Sequence, residues 1–216
     1  MIGDERLITK GRKFDQVLEG ARRVFMREGY KGASVDDIAR EAAVSKATLY
    51  SYFPDKQLMF QEVFRGEIER VRGGASALGD LDLPIDQVLR FIGHVIANNI
   101  VSDVGSRTLR LAIAEAERFP GLAAEYYAIG PGALLSALER RFLHWQEEGM
   151  LRDEIGDMNL IADSFVNLNT VRVRDRVMLT GRASVNDDMI RQTVDNAVGI
   201  FLRAFGTPRA IALLDR

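Results

Sequence analysis

The 216-residue chain is expected to be all-α, with about nine helices in two units: a small three-helix unit at the N-terminus and a larger helical one after it. Three observations predict this. Apolar residues recur every three to four positions through most of the chain. No segment sustains the apolar–polar alternation of a strand. Gly, Pro, Ser and Asp punctuate the periodic stretches where helices start and stop.

Phe14, Val17, Leu18, Ala21, Val24 and Phe25 follow the i, i+3, i+4, i+7 pattern of one helix face, and Gly29 ends it. Ser34 can cap a second helix, and Asp36 and Asp37 suit the positive end of its dipole. Ser45 can cap a third, which ends near Phe53-Pro54. Asp55 can cap a longer fourth helix carrying Leu58, Met59, Val63 and Ile68. Gly73 to Leu83 is rich in Gly and Ala and reads as a loop. Pro84 then suits the first turn of a helix from Ile85 to about Val101. Asp103 to Arg118 forms the next, broken at Phe119-Pro120. Gly121 to Glu148 is helical, with Gly130-Pro131 set to kink or split it. Asn159 to Leu179 and Asp187 to Phe205 complete the pattern, stopped at Gly181 and Gly206.

Composition excludes several classes. There is no Cys, which removes disulfides and thiolate metal sites. No apolar run approaches the roughly 18–20 residues of a membrane span. No apolar stretch of a secretory signal opens the chain, so a cytoplasmic location without membrane attachment is expected. The net charge of −2 argues against a protein that coats nucleic acid throughout. Its distribution is more informative. Residues 1–60 hold eleven Lys and Arg against nine Asp and Glu, and every Lys lies by position 56.

Two short helices joined by a tight turn at residues 34–53 describe a helix-turn-helix. Ile38, Ala42 and Val44 can pack inward with Leu49 and Phe53, and Ala39 is small where the helices approach. The second helix is roughly 12 Å long at 1.5 Å per residue, and the DNA major groove is about 12 Å wide. Lys46, Thr48 and Ser51 can then point into the groove. Tyr50 and Tyr52 can reach phosphates while their rings brace the helix. Ser34, Ser45 and Lys56 stand at helix starts that attract phosphate. The same spacing also fits an ordinary helical hairpin with solvated polar groups.

Residues 13–60 resemble the DNA-binding domain of TetR-family transcriptional regulators. The resemblance rests on Phe25-x-x-x-Gly29-Tyr30, Ser34-Val35-x-x-Ile38-Ala39, Ala42-x-Val44-Ser45-Lys46-x-Thr48-Leu49-Tyr50 and Tyr52-Phe53-x-x-Lys56. It implies groove-facing positions at Lys46, Ala47, Thr48 and Ser51, and phosphate contacts at Tyr50, Tyr52 and Lys56. Three residues depart from the family pattern. Ala43 replaces a usual Gly in the turn, Ser51 is smaller than the usual residue, and Asp36 stands where Arg is frequent. Residues 104–181 resemble the AefR-like C-terminal subclass, through Leu111 to Pro120, Tyr127, Gly130-Pro131 and Gly149-x-Leu151. That resemblance implies a ligand-binding and dimer-forming domain and names no ligand.

The resulting division is an N-terminal arm over 1–12, a helix-turn-helix domain over 13–57 and a ligand-binding and dimerisation domain over 58–216. Arg6, Lys10 and Arg12 of the arm, with Lys13 just after it, can touch a minor groove, or the arm is a disordered tail. A dimer interface is expected on Ile161, Phe165, Leu168 and Arg172, and on Ile190, Val194, Ala197, Val198, Phe201 and Phe205. The alternative places those apolar faces inside one subunit. Phe91, His94 and Asn98 share a helix face. With Tyr126 or Tyr127, Phe142, Trp145, Phe165 and Asn169 they can close a ligand cavity, or simply pack the core. His94 and His144 have no clustered acids, so neither a metal nor another cofactor is expected.

Taken together, these features lead to the expectation of a homodimeric repressor, not an enzyme, that binds double-stranded operator DNA until an unknown small-molecule inducer releases it. The competing expectation keeps the DNA contact and makes the C-terminal domain a protein-docking module with no inducer and a closed core.

Overall fold

A computed structural model describes residues 11–72 and 81–215. Among the described residues the fold is all-α: eleven α-helices, then one final helical turn. Residues 1–10 of the expected arm, and the loop expected from Gly73 as far as residue 80, lie outside the described residues.

Helix α1 (Arg12–Gly32) carries the first apolar stripe, with Phe14, Val17, Ala21, Val24 and Phe25 buried. Its regular path breaks at Gly29, whose φ of 69° is open to a residue without Cβ. Helix α2 (Val35–Glu41) starts at Ser34, whose hydroxyl accepts the Asp37 N–H. Helix α3 (Lys46–Tyr52) starts at Ser45, which accepts the Thr48 N–H in the same way. In α4 (Lys56–Arg72) the Leu58 N–H is received by the Asp55 carboxylate at 2.8 Å.

The remaining helices are α5 (Ile85–Val101), α6 (Asp103–Glu115), α7 (Pro120–Tyr127), α8 (Ala133–Glu147), α9 (Met158–Thr170), α10 (Arg174–Thr180), α11 (Asp187–Phe205) and the single turn α12 (Pro208–Ile211). Ser102, Asp157 and Asn186 cap α6, α9 and α11. Between α7 and α8 the helix divides at Gly130-Pro131, as expected. It widens into a π-helical turn, Ala128–Gly132, which accommodates a proline ring that has no N–H to donate.

One expected helix divides. Asn159 to Leu179 was expected as one element, yet α9 ends at Thr170 and α10 begins at Arg174. Asn167, Asn169 and Thr170 turn their side chains back to carbonyls four residues earlier. Such local bonds compete with the helical ladder, and β-branched Thr170, Val171 and Val173 weaken it further. Buried Val173 anchors the turn.

The apolar residues form two cores. The first joins α1–α4 to Leu111 and Ala112 of α6, Phe119, and Leu122 of α7. The second fills the space between α5, α8, α9, α10 and α11. The division expected at residue 57 therefore does not coincide with a division in the packing, because α4, α6 and α7 share a core with the helix-turn-helix.

Candidate nucleic-acid interface and adjoining cavity

The helix-turn-helix is held by contacts that sequence periodicity does not show. Gly20 of α1 lies against Ala42 so closely that a Cβ there would come within 2.5 Å of the Ala42 Cβ. Gln16 Nε2 donates to the Ala42 carbonyl at 2.7 Å, and Arg23 donates to the Glu41 carboxylate at 2.6 Å and carbonyl at 3.0 Å. These bonds satisfy carbonyls left free at the end of α2. Ala43 then takes φ 50°, the one positive φ outside glycine among the described residues, and turns the chain into α3.

That turn leaves α3 outside the subunit's own packing except along one edge. Leu49 is fully buried and Phe53 nearly so, while Lys46, Ala47, Tyr50 and Ser51 are exposed. Ser45 and Thr48 hydroxyls meet at 2.9 Å, and the Ser51 hydroxyl donates to the Thr48 carbonyl at 2.6 Å. Tyr52 is half-buried, its ring edge-on to Phe14 at 5.8 Å. Ser34 is half-buried as the α2 cap. Its hydroxyl also donates to Asp37 at 2.5 Å. This bond, with the Arg40 guanidinium beside it, holds the Asp37 carboxyl below its ordinary value.

Lys56 has two roles in one place. Its ammonium donates to the Ala33 carbonyl at 2.8 Å and lies 4.4 Å from the Tyr30 ring centre. One of its three N–H groups is thus used to join α4 to the α1–α2 junction. On the same ring, Arg118 stands at 5.1 Å. Tyr30 also packs edge-on to Phe119 at 5.0 Å. The Gly29-Tyr30 motif therefore serves as the joint between the helix-turn-helix and the α6–α7 corner.

Sequence reasoning missed the partner of Lys46. Its ammonium pairs with Asp36 at the start of α2, with both side chains more than half exposed, at 57% and 65%. The hydrogen bond and charge of Asp36 raise the Lys46 pKa above its ordinary value.

The expected ligand residues require correction. A cavity of about 260 Å³ opens between α5 and the α7–π-turn–α8 segment, with α9 and Arg174 on its far side. Of the expected residues, Tyr126 and Tyr127 line it and the others do not. On α5 the lining is Val95, Ile96, Asn99 and Ile100. His94 and Asn98 lie about 100° around the helix from Val95 and Asn99, each one residue out of register, and Phe91, one turn before Val95, is not part of the lining. Phe142, Trp145 and Phe165 are packed in the second core, with ring centres of Phe142 and Phe165 5.9 Å apart. Asn169 is buried there too, its Oδ1 without a hydrogen-bond partner. The cavity walls are mainly aliphatic, Leu134, Leu135 and Val166 among them, with Asp163, Asn167 and Arg174 as polar groups.

Tyr126 belongs to both halves of the molecule. It lines the cavity and packs against the first core, its ring 6.4 Å from Phe64 of α4. Burial pushes its hydroxyl pKa up. Beside it, Arg65 of α4 pairs with Glu125 of α7 at 3.4 Å.

The expected dimer residues are also corrected. Ile161, Phe165, Ile190, Val194, Ala197, Val198 and Phe201 are all buried inside one subunit, at 4% exposure or less. Phe205 is half-buried against Phe201 at 5.2 Å. The broad apolar stripe of each helix packs against α5 and α8, so it has no surface left for a partner. Leu168 is half-buried and Arg172 exposed, its guanidinium 3.5 Å from Gln192. The outward face of this helix pair carries Leu160 and Val171, 64% and 62% exposed, and Ile200 of α11. Among the described residues no helix is long and apolar enough to cross a membrane, and no cluster of three or more His, Asp or Glu could hold a metal.

Known proteins share the sequence pattern and the fold. Residues 17–63 match the bacterial regulatory proteins of the tetR family, and residues 87–207 match the AefR-like transcriptional repressor C-terminal domain. The HTH-type transcriptional regulator YhgD of Bacillus subtilis is 31% identical over 71 residues, 33% of this chain and 37% of that protein. The HTH-type transcriptional repressor Rv1474c of Mycobacterium tuberculosis is 31% identical over 78 residues, 36% of this chain and 40% of that one. Both alignments thus span well under two thirds of the relative's length. Among solved structures, a TetR-family regulator from Mesorhizobium loti superposes with a TM-score of 0.74 at 24% identity, covering 91% of this chain and 98% of that one. The flavonoid-responsive regulator FrrA superposes with a TM-score of 0.68 at 28% identity, covering 92% and 100%. With one match over its N-terminal unit and another over more than half its length, the chain belongs to the TetR family of bacterial transcriptional regulators.

Proposed function

We propose that this protein is a homodimeric repressor that reads operator DNA with the exposed face of α3 and is released by a small molecule held in the cavity beside Tyr126. The observation that carries this reading is the exposure of the outward face of α3. Lys46, Ala47 and Ser51 face outward, with Ser45 capping its start, while Leu49 and Phe53 root the helix from behind. A helix rooted so can enter a major groove without unpacking. Ser34, Tyr50, Tyr52 and Lys56 surround it as candidates for phosphate contact. A second copy supplies the second reading helix, and the outward face of α9 and α11, with Leu160, Val171 and Ile200, is the surface on which the copies meet.

Release follows from the shared position of Tyr126. A ligand filling the cavity presses on the π-turn and Tyr126, and Phe64 carries that displacement into α4, which is joined to the reading unit through Lys56. The ligand shifts the equilibrium only as far as it prefers the release-competent arrangement. The open cavity favours this reading over a docking module with a closed core. Its mainly aliphatic lining and the likeness to flavonoid-responsive FrrA make flavonoids the first probes.

Fluorescence anisotropy on duplex DNA from upstream of the protein's own gene tests the reading. Binding at about 10 nM or tighter, falling steeply with salt, is expected, with half-sites centred about one helical turn apart. Equal and micromolar affinity for every duplex would overturn it. Replacing Val166 with Trp, to fill the cavity from within, should weaken operator binding without any ligand.

A further inference from the structure

We infer that Asp36 reads a base: its carboxylate accepts a hydrogen bond from the N4 amine of a cytosine in each half-site, while Lys46 addresses the guanine of the same pair. The inference rests on the proposal that α3 enters the major groove. Asp36 is the second residue of α2 and Lys46 the first of α3. Their ion pair places both at one outward surface, so a groove that receives the start of α3 also receives this carboxylate. The neighbouring acid is oriented differently. Asp37 is bound by the Ser34 hydroxyl and by Arg40, within its own helix. Asp36 has Lys46 as its partner, and Lys46 is the only charged residue of α3.

A carboxylate brought against DNA is repelled by phosphate and can only accept hydrogen bonds. In the major groove the donors are the exocyclic amines of cytosine and adenine. A carboxylate fixed beside an ammonium offers an acceptor next to a donor. The C·G pair offers the matching edge, an N4 amine next to the O6 and N7 acceptors of guanine, and two acceptors suit a Lys better than the single O4 of thymine. The pair also limits indiscriminate binding. With Asp36 at its side, Lys46 adds little net charge toward phosphate, so the surface gains affinity chiefly where a base satisfies the acid.

The test is selection of binding sites from a randomised duplex library by the full-length protein, by Asp36→Asn and by Asp36→Ala. Residue 36 is largely exposed, so all three should fold, and circular dichroism checks that they do. Native protein should enrich a C·G pair at one position per half-site. Asp36→Ala should lose that preference, about tenfold or more, and keep the rest of the motif. Asp36→Asn should move it toward A·T, because an amide pairs bidentately with adenine. Both variants should bind non-cognate duplex more tightly, with a salt slope steeper by about 1 per subunit as Lys46 is freed for phosphate. Identical motifs from all three proteins would overturn the inference and leave DNA binding intact, as expected if the ion pair only braces the two helices. Native protein that enriches no motif would overturn the DNA-reading proposal itself, and this inference with it.

Discussion

The two cores are built from similar side chains but are closed in different ways. Around the helix-turn-helix, Phe60 touches four other rings, Phe25, Tyr30, Phe64 and Phe119, at centroid distances of 5.0–5.9 Å. Side chains then bond free backbone carbonyls across elements, from Gln16 to Ala42, Arg23 to Glu41 and Lys56 to Ala33. The second core has its own aromatic centre in Phe142, Phe165 and Phe201 and its own crosslinks, from Arg141 to the Leu81 carbonyl and Arg110 to the Val177 carbonyl. But the space beside it is lined mainly by aliphatic residues, whereas the space between α1 and α4 is lined mainly by charged ones such as Glu19, Arg22, Glu67 and Arg70. Polar crosslinks demand one geometry, whereas aliphatic walls slide at little cost. On the proposed function, a unit that presents one helix to DNA needs the first kind of closure. On the same proposal, a unit that admits a ligand and reports it needs the second.

The largest effects should come from the ring at the centre of each core. Phe60→Ala and Phe142→Ala should each cost about 3–5 kcal/mol, read by urea unfolding followed by circular dichroism. If the reading unit is the stiffer part, only Phe60→Ala should also lower the DNA affinity of the protein that remains folded. An equal loss of affinity in both variants would break the contrast.

A smaller effect tests the closeness of α1 and α2. Gly20→Val must push against Ala42, and overpacking of this kind costs about 1–3 kcal/mol. The strain should appear as weaker operator binding, because α2 sets the direction of α3. Smaller still, Lys56→Met keeps the apolar stem and removes the bond to Ala33 and the charge over Tyr30. A loss of about 1–2 kcal/mol is expected. If its charge also faces phosphate, the salt slope of binding should fall by about 1 per subunit.

What was legible in the sequence follows from range. The caps at Ser34, Ser45 and Asp55 act over three residues, so their spacing was enough to place them. The exposure of α3 followed from a local pattern of one buried edge. The cavity is assembled from helices distant in the chain, and there a shift of one residue on α5 exchanges Val95 and Asn99 for His94 and Asn98. Ile161, Phe165 and Val194 were misplaced for a related reason. An apolar stripe states that a face is covered and not by what, and here α5 and α8 cover it. The close approach at Gly20 left no periodic trace, since a buried glycine and an exposed one are the same letter.

Ala43 carries the smallest prediction and the one that separates fold from function most directly. At φ 50° its Cβ lies near the following carbonyl, a strain of roughly 1–2 kcal/mol for an L-residue. Glycine would relieve it but would add about 0.5–1 kcal/mol of entropy to the unfolded chain. Ala43→Gly should therefore raise stability by about 0.5–1 kcal/mol, a melting temperature higher by about 1–4 °C for a chain of this size. If the bonds from Gln16 and Arg23 already fix the end of α2, operator affinity should stay within about twofold of the native value. If affinity falls while stability rises, the turn itself limits where α3 points. The stiffness of the reading unit would then reside in its strained connection as much as in its crosslinks.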